Sequence, residues 1–314
     1  MDVKIVFMGT PLFSVPILEA LIENYNVIAV VTQPDRISNN KVLEPAIKKI
    51  AESHNIKILQ PVKIRREYQE ILDLNPDMII TCAYGQIIPK ELLDFPRYGA
   101  INIHASLLPK LRGGAPIHHA IIDGYDKTGI TIMYMNEKMD EGDIILQSST
   151  SISLDDTTET LHDRLSIMGR DLILDAIPKI VSGNINRIKQ NEIDATYGYN
   201  ISREDEKIDF NKTRYEIFNQ IRGLNSYPGA YTIFNNKILK VWKSEIGSNN
   251  YFNKKNGEIV CLYDDGIGVK CLDGEIILKE VQLEGKKKQC AKDFINGHRN
   301  ELIGNVLKWK KKLK

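Results

Sequence analysis

The first half of the chain alternates short Val- and Ile-rich runs with amphipathic stretches, an order that few architectures can accommodate. Residues 3–8, 27–31, 56–59, 78–81 and 100–103 form apolar runs, whereas 16–23, 45–54 and 65–74 place apolar residues at helical spacing. Runs that are apolar on both faces belong to buried strands. Buried strands alternating with helices imply a mostly parallel, Rossmann-like α/β sheet joined by right-handed crossovers. Residues 129–135 and 144–148 read as later strands, and 157–181 as a long helix led by Asp155, Asp156 and Thr157 at its cap.

Polar residues thicken over 182–206, where Gly183, Asn184, Asn186, Asn191 and Asn200 interrupt any period. A length of 314 residues suggests two domains at roughly 150 residues each, and this stretch is the expected joint. The expected division is a first domain over 1–183, a linker over 184–205 and a second domain over 206–314. Within the second, 213–224 suggests a helix, and 231–234 and 238–242 flank Asn235-Asn236, a hairpin signal. Residues 259–263, 267–272 and 275–281, separated by Asp264-Asp265-Gly266 and Asp273-Gly274, repeat that pattern. A small antiparallel barrel or curled sheet is the expected result.

Net charge divides along the same line. Residues 1–200 carry −6 and residues 201–314 carry +7, although the whole chain is only +1. A basic half suggests a polyanionic partner, with a solvated lysine surface as the plainer alternative. No apolar run approaches the ~20 residues of a membrane span, and residues 1–9 lack the features of a signal peptide. A cytoplasmic protein without a membrane partner is expected. Cys82, Cys261, Cys271 and Cys290 form no C-x-x-C pair, which argues against a disulfide scaffold and a zinc site.

Open parallel sheets bind ligands beyond the carboxyl ends of their strands. The first such loop, Gly9-Thr10-Pro11, is not a dinucleotide fingerprint. The densest one follows residues 100–103. Asn102 and His104 are two apart on a strand, so both side chains leave the same face at its end. An amide donor and an imidazole there suit acyl transfer, in which an oxyanion needs a donor and an attacking amine must lose a proton. The same pair could also be an ordinary strand end satisfied by backbone. Asp140, in the Gly-containing stretch Met139-Asp140-Glu141-Gly142-Asp143, could orient His104 or could simply build a turn.

Several motifs occur together in one order: Gly9-Thr10-Pro11, Thr32-Gln33-Pro34-Asp35-Arg36, Ala83-Tyr84-Gly85, Asn102-Ile103-His104, Ser106-Leu107-Leu108-Pro109, Arg112-Gly113-Gly114-Ala115-Pro116-Ile117, Thr128-Gly129-Ile130-Thr131 and Met139 to Asp143. Ile221-Arg222-Gly223-Leu224, Tyr227-Pro228-Gly229-Ala230-Tyr231 and Lys240-Val241-Trp242 continue the series. In this combination the chain resembles the methionyl-tRNA formyltransferases over nearly its whole length.

That resemblance implies a Rossmann-like formyltransferase domain followed by a small OB-fold-like barrel. It also implies formyl transfer from 10-formyltetrahydrofolate to the α-amino group of initiator methionyl-tRNA, without a metal. The family's catalytic set falls on Asn102, His104 and Asp140, and its folate-contacting loop on Ser106, Leu107, Leu108 and Pro109. For tRNA, the expected contacts are Arg36 and Lys41 in the first half and Lys286, Lys287 and Lys288 in the second. A monomer is expected.

Two departures from the family pattern stand out. Leu12 follows Gly-Thr-Pro where many members carry Asp. The loop after Arg36, Ile37-Ser38-Asn39-Asn40-Lys41-Val42, is shorter and less basic than the family's tRNA-probing loop. The alternative enzyme is a folate-dependent formyltransferase acting on a nucleotide-linked amino sugar, which would use the same three residues but need no extended cationic track. A glycinamide ribonucleotide formyltransferase fits less well, because that family ends near the first domain. A nucleic-acid-binding protein with a dead catalytic domain would not need Asn102, His104 and Asp140 intact. His118 and His119 read as surface or packing histidines, Trp242 as a core residue, and Trp309 as a possible stacking residue.

Overall fold

The computed structural model describes residues 3–38 and 41–308; Asn39, Asn40, Trp309 and the final lysines lie outside the described residues. The chain runs β1 (Lys4–Gly9), α1 (Val15–Asn24), β2 (Asn26–Val31), β3 (Arg36–Ser38), β4 (Lys41–Leu43), α2 (Ala46–Ser53), β5 (Lys57–Leu59), α3 (Gln69–Asp73), β6 (Met78–Cys82), α4 (Lys90–Asp94) and β7 (Ala100–His104). Then follow α5 (Pro116–Ile122), β8 (Lys127–Tyr134), β9 (Ile144–Ser151) and the long α6 (Thr158–Ser182).

One sheet has the order β5-β2-β1-β6-β7-β8-β9. Its first five strands are parallel, and β8 and β9 are antiparallel additions. The apolar runs explain this arrangement: all five residues of β6 are buried, as are five of the six in β1. Strand order reverses between β1 and β6, which opens a crevice at their carboxyl ends. Helix α3 is shorter than the 65–74 expected, because the Glu67 carboxylate accepts from the Val62 and Lys63 amides and holds a turn ahead of it.

The later elements are α7 (Arg214–Gly223), β10 (Ala230–Phe234), β11 (Lys237–Ile246), β12 (Ile259–Tyr263), β13 (Gly266–Cys271), β14 (Gly274–Leu283), β15 (Gln289–Cys290) and α8 (Ala291–Leu302). They form an antiparallel sheet in the order β10-β11-β14-β13-β12, with β15 on β14. Its two edges are bridged by the segment after α8: Lys308 pairs with Ile233 of β10, and Val306 with Glu258 just before β12. This closes the sheet into a barrel and leaves no long edge for another chain to pair with. Its core joins Ile217 and Ile221 of α7 and Phe294 of α8 to the inward residues of the strands.

The chain divides into two compact units, though not at a single point. The first comprises Met1–Pro116, Lys127–Ser151 and His162–Gly198, and the second comprises Ile117–Asp126, Ile152–Leu161 and Tyr199–Lys314. Residues 184–198, read from sequence as linker, therefore belong to the first unit. Arg222 of α7 shows how the second unit gathers its pieces: its guanidinium donates to the Ser153 and Asp156 carbonyls. No helix among the described residues is long and apolar enough to cross a membrane.

Candidate active site

His104 ends β7, and its side chain is only 6% exposed. Each ring nitrogen faces an acceptor. Nε2 lies 2.9 Å from the Leu111 carbonyl and Nδ1 lies 3.6 Å from Asp140 Oδ1. A neutral ring can donate to only one of them, an imidazolium to both. Both partners sit on left-handed backbone, Leu111 at φ 58° and Asp140 at φ 54°. A non-glycine residue held there costs of order 1–3 kcal/mol, so the surrounding bonds must over-determine the geometry.

Asn102 points the same way as His104, as the period of a strand requires. Its Oδ1 accepts from the Thr81 hydroxyl at 2.8 Å, which turns its amide nitrogen toward Asp140 Oδ1, 3.4 Å away. The amide therefore presents a donor on the Asp140 side, beside the imidazole. Asp140 Oδ2 accepts from the Gly113 amide at 2.8 Å. Asn102, His104 and Asp140, separated by up to 38 positions, thus form one cluster.

The loop after β7 is braced from β8 and β9. Thr131, fully buried on β8, donates to the Ser106 carbonyl and accepts from the Leu108 amide, while Gln147 of β9 donates to the Leu108 carbonyl and to Thr131. Ser106 and Leu108 are buried, and the Ser106 hydroxyl is committed to the Lys110 carbonyl at 2.6 Å. Leu107 and Pro109 are partly exposed.

Sequence reading missed the support beneath this cluster. Segment 188–198 runs along the loop after β7: Thr196 accepts from the Arg112 amide, Gly198 donates to the Arg112 carbonyl, and the Ala115 amide donates to Gly198. Arg112 is fully buried, and its guanidinium bonds both the Gln190 side chain and the Glu192 carboxylate. The Glu192 bond and charge hold that guanidinium protonated more firmly than usual and, in return, hold Glu192 below the usual carboxylate range. Only the basic residue in a glycine-containing loop hinted at this. Nothing in the polar 182–206 stretch singled out Gln190.

The proposed tRNA contacts lie elsewhere. Arg36 and Lys41 are exposed on the β3–β4 hairpin, beside the exposed apolar side chains of Ile37, Val42 and Leu43. Lys286, Lys287 and Lys288 are exposed beside a cavity of about 520 Å³, and Lys288 pairs with Glu280 at 2.5 Å. Trp242 is partly exposed rather than buried, and its indole N–H donates to Gln282. His118 and His119 are each within hydrogen-bond distance of a backbone carbonyl, of Tyr227 and Tyr199 respectively. Burial pushes the Cys82 thiol up to about 12 and the Cys271 thiol up to about 11, so neither is a ready nucleophile.

Residues 3–177 match the formyl transferase family and residues 200–299 the formyl transferase C-terminal domain. Over 310 residues the chain is 49% identical to the methionyl-tRNA formyltransferase of Bacillus velezensis, covering 97% of each. The chain belongs to the methionyl-tRNA formyltransferase family. A second member, from Geobacillus, is 51% identical over 302 residues and 94% of each chain. Among solved structures, WlaRD, a sugar 3N-formyl transferase crystallised with dTDP and 5-N-formyl-THF, is 25% identical with a TM-score of 0.66, over 91% of this chain and 100% of that one. Aquifex aeolicus HypX in complex with tetrahydrofolic acid, at 15% identity and TM-score 0.64, shares the fold over all of this chain and 50% of its own. Methionyl-tRNA formyltransferases are the relatives near half identity; the sugar enzymes resemble the chain far less.

Proposed function

We propose that this enzyme transfers the formyl group of 10-formyltetrahydrofolate to the α-amino group of initiator methionyl-tRNA, acting as a cytoplasmic monomer. The observation that carries the chemistry is the cluster of Asn102, His104 and Asp140 at the end of β7. The amine attacks the formyl carbon as a neutral nucleophile, and His104 takes the proton that the nitrogen then sheds. Asp140 orients the imidazole and stabilises its charged form. Asn102 donates to the formyl oxygen as it becomes an oxyanion. When the tetrahedral intermediate collapses, the bond from the formyl carbon to folate N10 breaks, the proton passes to N10, and tetrahydrofolate leaves.

The folate is assigned to the loop of Ser106, Leu107, Leu108 and Pro109. The buried Ser106 and Leu108 would shape that loop, while Leu107 and Pro109 offer accessible surface. The second domain, taken as 206–314, is assigned to the tRNA. Its charge of +7 over residues 201–314 suits a phosphate backbone better than it suits a nucleotide sugar.

The deciding assay offers the purified protein 10-formyltetrahydrofolate with charged initiator tRNA, and separately with a nucleotide-linked amino sugar. Formylated methionyl-tRNA is the expected product. Formylation of the sugar alone would overturn the assignment.

A further inference from the structure

We infer that Gln190, anchored by the buried guanidinium of Arg112, is a positioning residue for the Asp140 carboxylate. The inference rests on the reading of Asp140 as the partner of His104. Gln190 is 6% exposed, and every one of its amide bonds is spoken for. Its Oε1 accepts from Arg112 Nε at 3.1 Å and Nη2 at 2.9 Å, and its Nε2 donates to the Asp140 carbonyl at 2.7 Å and the Gly142 carbonyl at 2.8 Å. Arginine can only donate and a carbonyl can only accept, so chemistry fixes which end of the amide faces which group.

The two carbonyls it clamps bracket Glu141, in the loop that carries Asp140 in left-handed backbone. Without the clamp that loop has fewer bonds to maintain the conformation, and the carboxylate drifts from Nδ1 of His104. The bond from Gly113 to Asp140 Oδ2 fixes one carboxylate oxygen but does not hold the backbone. Arg112 is itself held by Glu192, which accepts from Nη1 at 3.0 Å and from Nη2 at 2.9 Å, and it faces Glu141 at 3.6 Å. A chain of contacts thus runs from Glu192 through Arg112 and Gln190 to Asp140.

The test is a double-mutant cycle in kcat using Gln190→Met and Asp140→Asn, with KM for folate and for methionyl-tRNA, and with folding followed by circular dichroism. Misplacing a carboxylate partner by about an ångström should lower kcat on the order of 10- to 100-fold in Gln190→Met. Both KM values should stay within about threefold, and on the Asp140→Asn background the further loss should be less than about threefold. A purely structural role would give the same loss on both backgrounds. That result, or a folded Gln190→Met with kcat within about threefold of the unsubstituted enzyme, overturns the inference. If Gln190→Met does not fold, Gln190→Glu keeps an ion pair to Arg112 while losing both donated bonds, and the same criteria decide. Full activity in Asp140→Asn would refute the role of Asp140 itself; a slow Asp140→Asn beside an unimpaired Gln190→Met overturns only the role of Gln190.

Discussion

His104 is defined by its neighbours more than by its own chemistry, since a carbonyl on left-handed backbone faces one nitrogen and a carboxylate on left-handed backbone faces the other. With Asn102 in the proposed role of oxyanion donor and His104 in that of base, Asn102→Ala should lower kcat by about 10²- to 10³-fold, and His104→Ala should cost about 10²- to 10⁴-fold. Folate affinity, measured at equilibrium with an analogue, should stay near that of the unsubstituted enzyme in both. If Asp140 orients His104, Asp140→Asn keeps the shape but removes the carboxylate, so kcat should fall while folate affinity holds. Undiminished kcat would reduce Asp140 to a turn residue.

A different histidine reports on stability. Asp123 bonds the His119 imidazole and raises its pKa above 6.5, partly offset by burial. The folded state therefore binds that proton more tightly, and the resulting stabilisation is complete below about pH 6.5 and is lost as pH rises through the folded-state value. In urea titrations, His119→Gln should lose up to about 0.5 kcal/mol more at pH 5.5 than at pH 8.5. A gap independent of pH would mean that the pair contributes nothing through charge.

At the scale of elements, what the sequence reveals depends on whether a segment's bonds leave a periodic trace. Buried parallel strands do, and so does the Asn235-Asn236 hairpin, whose two residues take φ of 48° and 63° as a tight two-residue turn demands. Helix α8 does not: Gly297 and a non-helical His298 break the spacing that Ala291, Phe294, Ile295 and Leu302 would otherwise show. Segment 188–198 leaves no periodic trace because, beyond the single bridge of Ile188 to Ile144 of β9, it bonds to loops, through partners about 50 to 85 positions away. The spacing of Asn102 and His104 was legible from strand period alone, whereas the reach of Asp140, and all of Arg112 and Gln190, required the fold.

The loop bearing Asp140 is tied down by a close approach at Gly142, where a Cβ would lie 1.8 Å from the Tyr134 carbonyl oxygen. Gly142→Ala cannot be absorbed without moving that loop. A stability loss of about 1–3 kcal/mol is expected, together with a fall in kcat larger than any change in KM. Wild-type kcat in this variant would show that the loop can shift without disturbing the pairing of His104.

Across the whole molecule, charge is segregated along the chain, and a tRNA-binding second domain should show that segregation in its salt dependence. Each phosphate neutralised by a lysine releases condensed counterions, contributing about 0.7–0.9 to the slope of log affinity against log salt. Lys286, Lys287 and Lys288 are exposed, but Lys288 already pairs with Glu280, so binding a phosphate there must first break or share that contact. Replacing all three by alanine should therefore flatten the slope by about 1.5 to 2 rather than the full amount expected for three free contacts. Affinity should weaken for initiator and elongator tRNA alike, because phosphate contacts position the ligand without reading its sequence. His104 belongs to the first compact unit, so kcat at saturating tRNA should fall much less than kcat/KM, and folate affinity should not change. The Lys288→Ala variant alone should move the slope less than Lys287→Ala. If the triple variant retains both its affinity and its slope, the lysines are a solvated turn after β14, and the phosphate track runs over other cations of the barrel.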